Sequence, residues 1–184
     1  MKRNQALEAL YMHIKSESLR KHSLASEAVM RALAEKMGQD KERWGLAGLL
    51  HDIDVEITGA DPKTHGIVGA NMLAEMGFDQ EFVDAVRLHN EEATGIPRAT
   101  LFQHALSAGE TITGLITATT LVYPDKKIAS VKPKSIVKRM KEKAFAASVN
   151  RDCIMECEKI GIPLPDFAEL ALSAMQAISN DLGL

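Results

Sequence analysis

Six residues of this chain have types and spacing that could act together on a metal ion: His22, His51, Asp52, His65, His89 and Glu110. His51 and Asp52 stand side by side at the end of the apolar run Leu46-Ala47-Gly48-Leu49-Leu50, where neither is expected without a task. Imidazole and carboxylate together suit a divalent transition metal (Mn, Fe, Co, Ni or Zn) better than Ca or Mg. Such an ion lowers the pKa of bound water and polarises a phosphoryl oxygen, so the expected chemistry is cleavage of a phosphate ester by a metal-bound hydroxide. Two ions bridged by one carboxylate would serve better than one.

The elements that must position these residues read as helices throughout. Ala, Leu, Met, Glu and Lys dominate and aromatics are few, which gives the expectation of an all-α, single-domain helical bundle over residues 1–184. A first helix is expected from about Asn4 to Ile14 and a second from Leu19 to Met37, closed by Gly38. On the second, His22 shares a face with Ala25 and Val29. Asp40 caps a third helix, Lys41 to Asp52, which carries His51 inward at its C-terminal end. A loop from Ile53 to Lys63 leads to a fourth helix opened by Thr64-His65-Gly66, with Met72 and Leu73 on its buried side. Asp79 caps a fifth helix that ends at His89, on the side of Phe82, Ala85 and Val86. A loop over Asn90 to Pro97 precedes a long helix from Thr100 to about Val122, followed by two more, Arg151 to Ile160 and Pro165 to Leu182. No internal repeat is present.

Each residue also has a plainer reading. An inward histidine is often a satisfied core residue, and His51 could favour a helix C-terminus through the helix dipole; Asp52 is disfavoured at that end. Glu110 is the only Asp, Glu, Lys or Arg between Arg98 and Asp125, and its unpaired burial would cost several kcal/mol, so it calls for a cation. His13 and His104 fall off the faces that gather the others and are read as non-ligands. Cys153 and Cys157, four apart in a helix, are poorly placed for a disulfide and read as a reduced, buried pair. The net charge is −3, yet eight Lys or Arg and one Glu lie between Lys126 and Lys143, so the rest of the chain carries −10. That basic segment is either a solvated surface or a rim that attracts phosphates to the acidic pocket. No apolar run is long enough for a transmembrane helix and no signal peptide is apparent, so a cytoplasmic location is expected.

The order His22, His51-Asp52, His65, His89, Glu110 resembles that of the HD-domain metal-dependent phosphohydrolase superfamily, over about residues 18–122, with a basic connector and C-terminal helices in 123–184. Leu49-Leu50-His51-Asp52-Ile53 is similar to the signature of HDIG-type members. The segment from His65 to Leu73 resembles the helix supplying a further His in two-metal versions, and Ala85 to Asn90 the site of their His-His pair. The resemblance implies that His22, His51, Asp52 and Glu110 hold a first ion and that Asp52 bridges to a second held by His65 and His89. His65 and His89 would otherwise protonate the leaving group. Three positions depart from the pattern: Glu110 replaces an Asp, Asp54 replaces the HDIG glycine and could transfer protons, and Asn90 replaces the second His of the pair. The Gly-Tyr-Pro signature of cyclic-dinucleotide phosphodiesterases is absent. The implied substrate is a phosphomonoester or phosphodiester of a small molecule, with nucleotides foremost; no nucleic-acid or membrane partner is expected. A catalytically weak nucleotide-binding regulatory module and a di-iron oxygenase are the alternatives.

Overall fold

The computed structural model describes residues 1–184 and contains helices and turns but no strand. Helix α1 (Arg3–His13) buries Ala6 and Leu10. Ser16 caps α2 (Glu17–Lys36), whose buried side carries Ala25, Val29, Met30 and Leu33. Gly38 then takes φ 64°, a left-handed conformation that ends a helix without a Cβ penalty.

In α3 (Lys41–Leu50), capped by Asp40, every residue from Trp44 to Leu50 is buried. This helix lies so close to α2 that a Cβ at Gly48 would stand 2.5 Å from the Ser26 carbonyl oxygen. Such an approach requires glycine. Helix α3 stops two residues earlier than its periodicity predicts: His51 is its C-cap, and Asp52 belongs to the run of turns that follows. Helix α4 (Ile67–Glu75) likewise starts after His65, because Gly66 at φ 87° breaks the helical path. Helix α5 (Gln80–His89) begins at the Asp79 cap. One further turn of helix, α6 (Glu91–Thr94), replaces part of the expected loop.

Helix α7 (Leu101–Leu121), opened by a Thr100/Gln103 capping box, is the central strut and touches α2, α3 and α5. The chain then forms α8 (Pro133–Met140), α9 (Arg151–Met155), a 3-10 turn at Glu156–Glu158, α10 (Leu164–Gln176) and α11 (Ser179–Leu182). The expected final helix is therefore two, divided at Ala177 and Ile178. Helices α10 and α11 pack back on α2, so one apolar cluster runs from Ala6 to Leu182. Phe82, Phe167, Leu50 and Ile112 are fully enclosed in it, each worth about 1.5–3 kcal/mol of burial. No helix is long and apolar enough to cross a membrane.

Candidate metal centre

Five chain segments deliver the site. His22 comes from α2, His51 and Asp52 from the end of α3, His65 from the turn before α4, His89 from the last residue of α5, and Glu110 from the middle of α7. The four imidazoles surround the Asp52 carboxylate. Its Oδ1 lies 3.3 Å from His51 Nε2, 3.2 Å from His65 Nε2 and 3.4 Å from His89 Nε2, and its Oδ2 lies 3.5 Å from His22 Nε2.

The outward nitrogens settle which way each imidazole faces. His51 Nδ1 is 2.8 Å from the Gly48 carbonyl and His89 Nδ1 is bonded to the Val86 carbonyl; a carbonyl only accepts, so both Nδ1 atoms carry hydrogen. The Thr113 hydroxyl donates to the Glu110 carbonyl at 2.7 Å and so accepts from His22 Nδ1 at 2.9 Å. His65 Nδ1 donates to Asp54 Oδ1 at 2.8 Å. All four imidazoles therefore turn Nε2 inward. His22 and His51 meet Nε2 to Nε2 at 3.1 Å, and so do His65 and His89.

Two Nε2 atoms facing each other at that distance need a cation, a proton or a metal ion, between or beside them. Donors sharing one ion at about 2.1 Å, at roughly 90–110° to each other, stand about 3.0–3.4 Å apart, close to the spacing found here. The donor atoms fall into two groups, His22/His51/Asp52 and Asp52/His65/His89, each within 4.8 Å and sharing Asp52. This imidazole–carboxylate set fits divalent transition metal. Glu110 stands slightly back, with Oε2 3.7 Å from His22 Nε2 and its other oxygen taking the Thr111 hydroxyl.

Electrostatics agree with the geometry. Burial pushes the His51 imidazole down to about 3, which keeps it neutral. Burial also works against ionising Asp52, but the surrounding imidazoles outweigh it and hold the carboxyl well below its usual range. Burial lowers the affinity of His65 for a proton, yet its bonds to Asp52 and Asp54 prevail and raise it to about 10. For Glu110 burial dominates and the carboxyl is raised.

Two substituted positions prove to be supports. Asp54 is fully buried and accepts from His65 Nδ1 and from the backbone N–H groups of Gly66 and Gly69 at 2.9 and 2.7 Å. Its one side-chain partner is His65, which lines the cleft, so any proton it exchanges passes through that imidazole. Asn90 points its amide at the Pro62 and His65 carbonyls, both at 2.9 Å, and pins the loop carrying His65.

Sequence reading missed a third support, built from residues far apart in the chain. Arg98 is buried, and its five N–H groups reach Glu156 Oε1 and Oε2 (both 2.8 Å), Glu91 (3.1 Å) and the carbonyls of Leu88 (2.7 Å) and His89 (3.2 Å). It thus ties the end of α5, and His89 with it, to the C-terminal helices. His104 lies in this network, 2.9 Å from Glu156, and not among the converging Nε2 atoms. Cys153 and Cys157 are free thiols; Cys157 is buried, and Cys153 lines the site cleft beside Arg98.

The centre lies in a cleft of about 430 Å³ that also carries Glu91, Glu92 and Asn150. The basic segment is not its rim. Lys132, Lys134, Lys138 and Lys141 line a separate groove with Asp166 and Glu169, which shares no residue with the cleft.

A helical bundle that gathers four imidazoles around one buried carboxylate defines a metal-site protein of the His–Asp type. The family model described as "HD domain" matches residues 19–118, more than half of the chain, and the chain belongs to that family. HD domains bind divalent metals and form a superfamily of metal-dependent phosphohydrolases. Among curated relatives, ribonuclease Y of Oleidesulfovibrio alaskensis is 24% identical over 99 residues, 54% of this chain and 18% of that protein. Ribonuclease Y of Nitratidesulfovibrio vulgaris is 27% identical over the same length and shares. That of Fusobacterium nucleatum is 30% identical over 71 residues, 39% of this chain and 14% of the relative. The chain spans less than a fifth of these proteins. No solved structure matches it significantly.

Proposed function

We propose that this protein is a metal-dependent phosphohydrolase acting on a phosphomonoester or phosphodiester of a small molecule, foremost a nucleotide, and that residues 1–184 work as one domain. His22, His51 and Asp52, completed by Glu110, would hold one divalent transition-metal ion, and Asp52, His65 and His89 a second. When bound, the metal lowers the pKa of water and polarises the phosphoryl oxygen. The observation that carries the reading is the convergence of four imidazole Nε2 atoms on Asp52.

The chain's own groups supply the orientation. Gly48, Thr113, Asp54 and Val86 each take the Nδ1 hydrogen of one imidazole, which fixes tautomer and ring direction. Asn90 holds the His65 loop in place of a further ligand. Glu110 Oε2, 3.7 Å from His22 Nε2, is placed to complete the first site, and His65 and His89, where they hold no second ion, would protonate the leaving group instead.

Elemental analysis of the purified protein, paired with a phosphatase and phosphodiesterase screen using the metal found, tests the reading. Asp52→Ala is expected to remove both metal and activity while leaving the helical circular dichroism intact; a metal-loaded, active variant would refute it. The curated relatives are ribonucleases, which favours RNA phosphodiesters as a second reading. A short single-stranded RNA in the same screen decides between the two.

A further inference from the structure

Residues from outside the HD match complete the cleft of the metal centre. Ser148, Val149 and Asn150 line it, and they belong to the run of turns between α8 and α9, beyond residue 118. This run lies against α7 near the centre: a Cβ at Gly114, about one helical turn after Glu110, would meet Val149 Cγ2 at 3.3 Å.

One side chain holds the run in place. The Arg151 guanidinium donates to the carbonyls of Ala146 (2.6 Å), Val149 (2.7 Å), Phe145 and Glu142 (3.4 Å). Within the run Ala146 takes φ 46°, a left-handed conformation that a residue with a Cβ keeps only where its surroundings impose it. Arg151 is the group that imposes it, through the Ala146 carbonyl itself.

Most side-chain donors at the cleft are already engaged. Arg98 directs its N–H groups to Glu156, Glu91 and two carbonyls, both Asn90 Nδ2 hydrogens go to the Pro62 and His65 carbonyls, and the Thr111 hydroxyl donates to Glu110. No lysine lines the cleft, and the Cys153 thiol is a weak donor. Asn150 and Ser148 are different. Asn150 Oδ1 accepts the backbone N–H groups of Asp152 and Cys153 at 3.0 and 3.4 Å, which settles the direction of the amide and leaves Nδ2 without an acceptor in the chain. The Ser148 hydroxyl, exposed like Asn150, makes no bond within the chain either.

At about 430 Å³ the cleft takes one small ligand, so a group that reaches the metal ligands also meets these two donors. A phosphate held by the metal keeps oxygens that face away from it. Each of those needs a donor once it leaves bulk water, and Glu91 and Glu92 in the same cleft can only repel it. Resting on the hydrolase reading above, we infer that Asn150 Nδ2 and the Ser148 hydroxyl bind the substrate's phosphate group on the side away from the metal, and that Arg151 is the positioning residue that holds both in place. The metal ligands thus come from the HD core and the phosphate donors from the segment that follows it.

Calorimetric titration of the manganese-loaded protein with inorganic phosphate tests this. Asn150→Ser keeps a capping oxygen for α9 and removes the amide N–H groups; it is expected to weaken phosphate by about tenfold or more with manganese content unchanged. Ser148→Ala is expected to weaken it by about threefold or more. Arg151→Lys retains the charge but cannot reach four carbonyls. It should speed amide hydrogen exchange over residues 142–150 and weaken phosphate, and adding it to Asn150→Ser should cost little more, because Arg151 acts through the residue already lost. Phosphate bound by Asn150→Ser and Ser148→Ala as tightly as by the unaltered chain overturns the inference and leaves the hydrolase reading standing. If the unaltered, manganese-loaded chain binds no phosphate, both fall together. Full additivity of Arg151→Lys and Asn150→Ser overturns the positioning role.

Discussion

Asp54 Oδ1 stands 2.8 Å from His65 Nδ1, and the same carboxylate accepts two backbone N–H groups at the entry to α4. One buried side chain thus orients an imidazole of the metal centre and closes the turn that carries it. Asp54→Asn is expected to lower affinity at the His65/His89 site by about 10–100-fold and to leave the His22/His51 site loaded. Asp54→Gly, which restores the family's usual residue, is expected to destabilise the fold by about 2–4 kcal/mol, because Gly66 and Gly69 lose their acceptor. Metal titration and urea unfolding check both.

The raised pKa of His65 makes the metal-free protein sensitive to alkali. A folded pKa of about 10 lies above the unfolded value of about 6.5, so the stabilisation is complete below the lower value and lost as pH rises through the upper. The melting temperature of the metal-free protein is expected to fall from about pH 7 to pH 10. With metal in place of the proton this slope should largely vanish, and loading at pH 7 should release a proton, measurable by calorimetry in buffers of different ionisation enthalpy.

Arg98 and Glu156 form a buried pair, and breaking one side leaves the other charge without a partner. Glu156→Gln is expected to cost about 3–5 kcal/mol. Arg98→Lys keeps the charge but cannot reach Glu156 and two carbonyls together. It should loosen the end of α5 and weaken metal at the His89 site more than at the His22 site, which manganese titration at two concentrations of chelator will show.

Gly48→Ala places a methyl group 2.5 Å from the Ser26 carbonyl oxygen. Helices α2 and α3 must move apart, at a cost of about 1–3 kcal/mol. His22 and His51 ride on those two helices, so metal affinity at their site should fall along with the melting temperature.

Helical period and punctuation set most of the frame. The caps at Asp40 and Asp79 and the stop at Gly38 marked where α2 ends and where α3 and α5 begin, because these local signals act through neighbouring backbone groups. The inward placement of His22, His51 and His89 was legible for a similar reason: each shares a helical face with apolar residues that must be buried. The end of α3 and the start of α4 differ from the helical pattern, because Asp54 draws Gly66 and Gly69 toward it across the turn and no local pattern announces that bond.

The sequence by itself determined an all-helical chain with an imidazole–carboxylate inventory in a particular order. Only the tertiary structure decided which nitrogen each imidazole turns inward, since that depends on acceptors such as the Thr113 hydroxyl, 91 residues from His22. It also decided that Arg98 and Glu156, 58 residues apart, brace His89, and that the lysines of α8 line another groove. Ion pairs and pockets between distant segments leave no period in the chain; they exist only once α2, α5 and α7 have packed.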